Sequence, residues 1–149
     1  MANANRIFAN YLDAKGIRYQ IRNEESIAIT YNGDNAPEIR LIFVFGDDGS
    51  DVAIRAFSVA KVPSEKLARA YKTCSVLNNK WRWMKFYVDS DDEVTAADDA
   101  VIEPNTLAEE CFELLLREID IVDKAYPDIM AAIWGSDTTD SSVSAPQKR

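Results

Sequence analysis

Apolar and polar positions repeat with two different periods in the first half of the chain. Over residues 3–15 apolar side chains recur at helical spacing, which predicts an amphipathic helix that ends at Gly16. Alternating or continuously apolar segments follow at residues 18–22, 26–31, 38–45 and 51–59, and these predict four strands. The intervening turn sequences Asn32-Gly33-Asp34 and Asp47-Asp48-Gly49 are short, so consecutive strands are expected to pair antiparallel.

The second half of the chain returns to helical spacing twice. Pro63 opens a predicted helix at residues 64–79, and strands are predicted at 81–88 and 93–97. A longer helix is predicted from Pro104 to about residue 125, broken at Tyr126-Pro127, with one or two further turns over 128–134. Its apolar residues span more than half of the circumference, whereas a helix lying on a sheet needs a stripe of only about 100°. The excess predicts contact either with another helix or with a second subunit.

The order of these elements, α-β-β-β-β-α-β-β-α, predicts an α+β fold with helices packed on an antiparallel sheet. We expect one domain over residues 1–134, because 149 residues fit a single core. Residues 135–149 are polar and lack periodicity, and we expect them to form a flexible tail.

The composition excludes several kinds of chemistry. The chain has 25 acidic and 17 basic residues, a net charge of −8, and no histidine. Ser-His-Asp and Cys-His catalysis, histidine-ligated zinc and imidazole pH switching are therefore all excluded. A nucleic-acid partner is not expected either, since such binding begins with Lys and Arg neutralising phosphates.

The charge is unevenly distributed along the chain. Residues 1–88 carry 13 basic and 9 acidic side chains, whereas residues 89–134 carry 2 basic and 14 acidic ones. Within the first part, residues 61–85 hold seven basic side chains and one acidic one, Glu65. The two regions either neutralise each other within the fold or form complementary surfaces for self-association or for a charged protein partner.

Two acidic turns are candidate cation sites. Asp89, Asp91 and Glu93 are spaced like the start of a calcium-binding loop, but the sixth and twelfth positions hold Val94 and Ala100 instead of Gly and Glu. We interpret this segment as a solvated hairpin turn. The second acidic turn is interpreted in the same way and contains Asp47, Asp48, Gly49 and Asp51.

Lys85 and the two cysteines are the remaining reactive side chains of interest. Lys85 lies in the middle of a predicted aromatic strand, where it is either a nucleophile with a lowered pKa or a strand-edge lysine with its ammonium in water. Cys74 and Cys111 fall on apolar helix faces and are expected to be free, buried thiols. The other carboxylates are expected to be solvated on turns and polar helix faces. We therefore expect no catalytic residue, no metal and no cofactor.

The location of the protein is also predicted from what the sequence lacks. The first sixteen residues contain neither a basic region nor an apolar run typical of a signal peptide. The longest apolar run, residues 41–45, is far shorter than a membrane span. We expect a cytoplasmic protein with no membrane contact.

One segment of the second half carries a family resemblance. It runs LNNKWRWMKFYVD from Leu77 to Asp89, a helix ending in Leu-Asn followed by an aromatic–Lys–Phe strand and an acidic turn. Together with the acidic strand after it and the long helix ending in Ala125-Tyr126-Pro127 and Ile133-Trp134-Gly135, it resembles the YbjN family. Members of that family are described as bacterial sensory transduction regulators.

The resemblance implies a fold like that of the type III secretion chaperones, which are small acidic proteins that bind protein segments and are often dimeric. It supplies no catalytic residues. The sequence has one more strand before its middle helix than these chaperones usually have.

We therefore expect a non-enzymatic protein-binding module, chaperone-like or regulatory, that forms a homodimer. The alternative is a small-ligand-binding regulator with a pocket between sheet and helices lined by Trp81 or Trp83. The candidate partner-binding residues are Lys66, Arg69, Lys72, Trp81, Trp83 and Lys85.

Overall fold

A computed structural model describes residues 3–135 of the chain as three helices beside a six-stranded sheet. The helices are α1 (Ala4–Ala14), α2 (Leu67–Lys80) and α3 (Leu107–Trp134), and a 3₁₀ turn, Ser64–Lys66, leads into α2. The strands are β1 (Gln20–Ile21), β2 (Ser26–Tyr31), β3 (Ile39–Phe45), β4 (Asp51–Lys61), β5 (Lys85–Val88) and β6 (Glu93–Val101). The element order is the predicted α-β-β-β-β-α-β-β-α.

The sheet is antiparallel throughout, with its strands in the order β1-β2-β3-β4-β6-β5. Ile27 lies opposite Phe43, and Phe43 lies opposite Ile54, so alternate residues of neighbouring strands line one face. Apolar residues of that face and of all three helices form one buried cluster. Phe8 of α1 packs on Phe43 with ring centroids 5.1 Å apart. The fold therefore has two layers, with the helices on one side of the sheet.

The first helix shows how local sequence signals set an element's ends. The Asn3 side chain accepts a hydrogen bond from the Arg6 amide at 3.0 Å, which caps the start of α1. Gly16 adopts a φ of 73°, and the Ile17 amide donates back to the Leu12 carbonyl at 2.9 Å. This left-handed glycine cap is the predicted stop.

Pro127 does not break the last helix, contrary to prediction. α3 is continuous through it to Trp134. Proline lacks the amide hydrogen that would bond the Asp123 carbonyl four residues earlier. The Asn35 side chain donates to that carbonyl instead, at 3.3 Å. A side chain from the loop between β2 and β3 thus satisfies the group that proline leaves without its helical partner.

The strand predicted at 81–88 is shorter in the structure. Residues 81–84 form an irregular connection and β5 begins at Lys85, which is therefore at the start of a strand and not in its middle. Conversely, β4 and β6 extend beyond their predicted ends. The register of the β4–β6 pairing shifts between Ala56 and Ala60 of β4, where Ser58 has a φ of 55°. This irregularity lets β4 remain paired with β6 beyond it.

The wide apolar arc of α3 is largely covered within the chain, although Leu116 remains 46% exposed. α1 and α2 both contact α3, and the sheet covers its inner side. The first of the two predicted explanations, contact with other helices, therefore accounts for the arc. The predicted tail, apart from Gly135, lies outside the described residues. Across residues 3–135, no helix combines the length and apolar character needed to span a membrane.

Candidate protein-binding surface

Two of the candidate cations are engaged at the end of α3. The Lys66 ammonium donates to the Gly135 carbonyl at 2.8 Å. The Arg69 guanidinium donates to the same carbonyl at 2.9 Å and to the Ala131 carbonyl at 3.2 Å. Terminal carbonyls of a helix lack intrahelical partners and carry partial negative charge. These two side chains therefore dock the start of α2 onto the end of α3.

Lys85 has the same kind of role at the end of α2. Its ammonium donates to the carbonyls of Asn78 at 3.0 Å and of Trp81 at 2.7 Å. The Asn78 side chain in turn accepts from the Phe86 amide at 2.7 Å and donates to the Phe86 carbonyl at 3.0 Å. This pair of bonds occupies the outer edge of β5 at Phe86, which protects that edge against pairing with another strand.

The other three candidates differ in exposure. Lys72 is exposed on α2, and Trp81 is half-buried against the core with the Lys80 ammonium 5.3 Å from its ring centroid. Trp83 is 40% exposed. Tyr71 on α2 is 55% exposed.

Trp83 is held in an unusual conformation between two arginines. The guanidinium carbons of Arg82 and of Arg117 on α3 lie 5.3 Å and 5.4 Å from its ring centroid. Its φ of 68° is in the left-handed region, which costs a side-chain-bearing residue of this size about 1–2 kcal/mol. Cation–π contacts across its ring offset part of that cost. The arrangement presents an indole face and two cations at one place on the surface.

Exposed residues of α3 continue this surface. Leu116 is 46% exposed and lies on the same strip of the helix as Glu113, Arg117 and Asp120. Arg117 also donates to Glu113 at 3.2 Å. We define the Trp83 surface as Arg82, Trp83, Leu116 and Arg117. It combines apolar and cationic groups and is suited to a protein segment with apolar and acidic side chains.

The acidic turn at β5–β6 is organised by its first residue. One oxygen of Asp89 accepts from the amides of Asp91 and Glu93, and the other accepts from the Thr95 hydroxyl at 2.8 Å. The Thr95 bond is the main reason that the pKa of Asp89 is below its ordinary value. One oxygen from each of Asp89, Asp91 and Glu93 lies within 4.8 Å of the others. The hydrogen bonds of Asp89 within the turn explain why these carboxylates lie close together, and the segment forms the predicted hairpin turn.

The second acidic turn has a similar internal bond. Asp48 accepts from the hydroxyl of Ser50 at 2.6 Å and from its amide at 3.0 Å, and these bonds lower the Asp48 pKa. Asp48 therefore acts as an ordinary turn-forming aspartate.

Asp123 fastens the β2–β3 loop to α3. Its carboxylate accepts from the amides of Asp34, Asn35 and Ala36 at 3.1, 2.9 and 2.8 Å. Desolvation opposes ionisation, but the three amide bonds together lower the pKa of Asp123 below its ordinary value. Gly33 leaves room for this carboxylate, since a Cβ there would overlap it.

Both cysteines are free and buried. Burial raises the pKa of the Cys74 thiol to about 11, and burial with the charges of Glu110 and Glu118 raises that of Cys111 to about 12. Such thiols are largely protonated and unreactive at neutral pH.

One pair of carboxyl groups departs from the expectation that the acids are solvated. Glu118 is fully buried on α3 and lies within hydrogen-bonding reach of Asp98 on β6. Burial, then the bond to Asp98 and then its charge raise the pKa of Glu118 to about 10. The sequence contains a signal that Glu118 is buried, because this residue lies between Leu115 and Ile121 inside the apolar arc. Its partner on β6 had no comparable signal.

A groove of about 330 Å³ opens between the sheet and α3. Its apolar lining includes Ile39, Phe57, Val122 and Tyr126, and Glu38 and Arg40 add charges. The structure thus forms a groove between sheet and helix, but neither Trp81 nor Trp83 lines it.

Comparison with known proteins identifies the type of fold. The sequence profile of the YbjN family, described as "Putative bacterial sensory transduction regulator", matches residues 6–130. The crystal structure of YbjN from E. coli, described as a putative transcription regulator, is similar with a TM-score of 0.58 and 12% identity. That similarity covers 85% of this chain and 94% of YbjN. None of the curated proteins matches the chain.

Two structures of type III secretion chaperone complexes are also similar. The ExoU–SpcU heterodimer from the type III secretion system of Pseudomonas aeruginosa contains a chain with a TM-score of 0.52 and 13% identity, covering 85% of this chain and 98% of that one. The ExsC–ExsE complex contains one with a TM-score of 0.51 and 15% identity, covering 89% and 95%. These similarities confirm the predicted α+β, chaperone-like fold, and the profile match confirms the predicted family resemblance.

Proposed function

The chain belongs to the YbjN family, and from this premise we propose that it is a non-enzymatic protein-binding module, chaperone-like or regulatory, that contacts its partner through the Trp83 surface. The observation that carries the proposal is Trp83 itself, exposed, conformationally strained and held between Arg82 and Arg117. Strained residues cluster at functional sites, and Trp and Arg dominate binding energy at protein interfaces.

The fold supports the same conclusion. SpcU and ExsC have this fold and were crystallised with protein partners, ExoU and ExsE. The family is described as a regulator, and the two neighbouring structures are described as complexes of two proteins. Among residues 3–135, the most strongly perturbed acid, Glu118, is fully buried and therefore not accessible to a substrate. We therefore propose no enzymatic activity.

The chemistry of the surface specifies the partner. Two arginines beside an indole favour a protein segment in which acidic side chains flank an apolar one. A nucleic acid is not expected, since it carries a negative charge at every phosphate, whereas this surface offers only two arginines beside the acidic α3. We place the interaction in the cytoplasm, where the free thiols of Cys74 and Cys111 are the usual state of cysteine.

Site-specific photo-cross-linking in the native cell tests this proposal. A photoreactive phenylalanine analogue replaces Trp83 in one variant and Tyr71, a more exposed aromatic residue on α2, in the control. We expect a discrete cross-linked protein from position 83 and not from position 71. Equal cross-linking from both positions, or none from position 83 in the folded protein, would contradict it.

Self-association is the form of protein binding that we propose for the isolated chain, as a homodimer. It is supported by Leu116, which remains 46% exposed after α1 and α2 have covered the rest of the α3 arc. Light scattering across micromolar concentrations is expected to show a dimer that Leu116→Glu dissociates. A strict monomer for the unmodified chain would contradict the homodimer and leave binding to another protein to the cross-linking experiment.

A small-ligand-binding regulator is the second candidate, and the groove beside Phe57 favours it. Its volume of about 330 Å³ lies at the lower end of the range for ligand pockets. A ligand that binds there would raise the melting temperature, and Val122→Trp would abolish that rise by filling the groove. If no metabolite in a thermal-shift screen behaves in this way, this alternative is wrong.

A further inference from the structure

Asp98 and Glu118 bring two carboxyl groups together between the sheet and α3. Asp98 lies opposite Ile54 of β4, on the face of the sheet that the helices cover. Both oxygens of Glu118 and one oxygen of Asp98 are inaccessible to solvent, and when both groups are ionised no donor among residues 3–135 reaches these three atoms. Buried polar atoms nearly always have hydrogen-bond partners. A proton on one of the two groups would supply the bond that each side chain lacks.

Two negative charges cannot occupy this place together. Moving one ionised carboxylate into an apolar interior is very costly, and a second carboxylate nearby adds repulsion. One group must therefore stay neutral, and a neutral carboxyl can donate its proton to the other. In the folded protein a single shared proton joins one oxygen of Glu118 to the buried oxygen of Asp98.

Among residues 3–135, no cation donates a hydrogen bond to the three buried oxygens and so takes the proton's place. On α3, Glu118 acts on the buried thiol of Cys111, whose pKa it helps to raise. From β4, Arg55 donates to the Asp98 carbonyl at 3.0 Å and to the Asp99 carboxylate at 2.8 Å, so its guanidinium is engaged away from the carboxyl pair.

Charged groups on the remaining elements lie elsewhere. The inner face of β3 consists of apolar residues. On α1, the Lys15 ammonium lies 5.4 Å from the ring centroids of both Tyr11 and Phe112, one to two turns of α3 away from Glu118. Within the described part of the chain, the charge that raises the pKa of Glu118 is that of Asp98.

We propose that Asp98 and Glu118 share one proton across the helix–sheet interface, and that this proton holds α3 against the sheet, so that rising pH weakens the docking of α3. This inference is independent of the proposed protein-binding function. It makes the pair a device that couples the packing of the longest helix to proton activity.

The direction of the pH effect follows from the two states of Glu118. Its pKa rises from an ordinary value of 4.5 to about 10 on folding. The stability it contributes is thus complete below the ordinary value and is lost progressively as pH rises toward the folded-state value. Between these limits unfolding releases one proton, so the unfolding equilibrium constant rises about tenfold per pH unit from this group.

Glu118→Gln tests the inference, because its amide donates to Asp98 without a titrating proton. The matched control is Glu113→Gln, on the same helix but exposed and paired with Arg117. Urea unfolding at several pH values between 6 and 9 measures how the free energy of unfolding changes with pH. Glu118→Gln should reduce this slope by the equivalent of about one proton, whereas Glu113→Gln should leave it unchanged. Equal pH dependence in the unmodified chain and in both variants would overturn the proposal.

Carbon-13 NMR of carboxyl-labelled glutamate in the unmodified protein gives a direct second test that survives if a variant fails to fold. The Glu118 carboxyl should keep the chemical shift of a neutral acid at pH 7 and should titrate at lower pH in Asp98→Asn, where the neighbouring charge is gone. An ionised Glu118 at pH 7, or a titration that Asp98→Asn leaves unchanged, would overturn the shared proton.

Discussion

Two groups of cations from neighbouring parts of the chain differ in what they contact. Lys66, Arg69 and Lys85 point their charges at main-chain carbonyls near the ends of α3 and α2. Arg82 and Arg117 instead lie over the exposed ring of Trp83. In the sequence all but Arg117 belong to a single basic stretch.

The difference shows that local charge excess does not by itself identify a binding surface. A cation at a helix C-terminus satisfies terminal carbonyls and complements the helix dipole. The first group therefore stabilises the fold, and the second remains available to a partner. Variants of the two groups should separate stability from binding.

The largest expected effect is on binding. Trp83→Ala should weaken the partner interaction at least tenfold, because central Trp residues of interfaces commonly contribute about 2 kcal/mol or more. Titration with the cross-linked partner, once identified, would measure the dissociation constant. Chemical unfolding of the same variant is the control for its integrity, and an unchanged dissociation constant would remove Trp83 from the interface.

The next effect is on stability. Arg69→Ala should lower the free energy of unfolding by about 1–2 kcal/mol, because it removes charge-assisted bonds to the end of α3. Partner binding should be unchanged at temperatures where the variant is folded. Arg82→Ala is the matched control, with the opposite expected pattern. A weakened complex with unaltered stability for Arg69→Ala would reverse the assignment.

A smaller effect isolates the strain at Trp83. Glycine adopts a positive φ at little cost whereas alanine does not, so Trp83→Gly should be more stable than Trp83→Ala by about 1 kcal/mol. Urea unfolding of the two variants measures this difference directly. If alanine is the more stable of the two, the left-handed conformation is not maintained in solution.

The smallest effect is expected at Lys72. It is exposed on α2, and Lys72→Ala should change the free energy of unfolding by no more than about 0.5 kcal/mol. Binding should change little, since Lys72 is outside the Trp83 surface as defined. A large loss of binding on this substitution would extend the interface onto α2.

The order of elements was predictable because hydrophobic period and turn residues are local signals. The helix end at Gly16 and the turn at Asn32-Gly33 could each be predicted from only a few neighbouring residues. Pro127 was interpreted as a break for the same reason, since its compensation comes from Asn35, far away in sequence. Local patterns cannot contain a hydrogen bond between segments that meet only in the folded chain.

The candidate site was predictable to a lesser extent. Trp83 and the basic stretch were recognised by residue type, but which cations would be occupied by helix ends depended on how α2 packs on α3. The pairing of Asp98 with Glu118 likewise depended on how α3 packs against β6, which the sequence pattern does not show. The charge pattern identified which residues were candidates for a binding surface. The tertiary contacts determine which of them stabilise the fold and which remain exposed.

Quantitative affinity capture with three baits tests the protein-binding claim most directly. The unmodified chain, Trp83→Ala and Arg69→Ala are compared at equal folded concentration. We predict that one specific partner is recovered by the unmodified chain and by Arg69→Ala, and is lost with Trp83→Ala. Recovery of the same partner by Trp83→Ala, or its loss with Arg69→Ala alone, would contradict the assignment of the binding surface to Trp83.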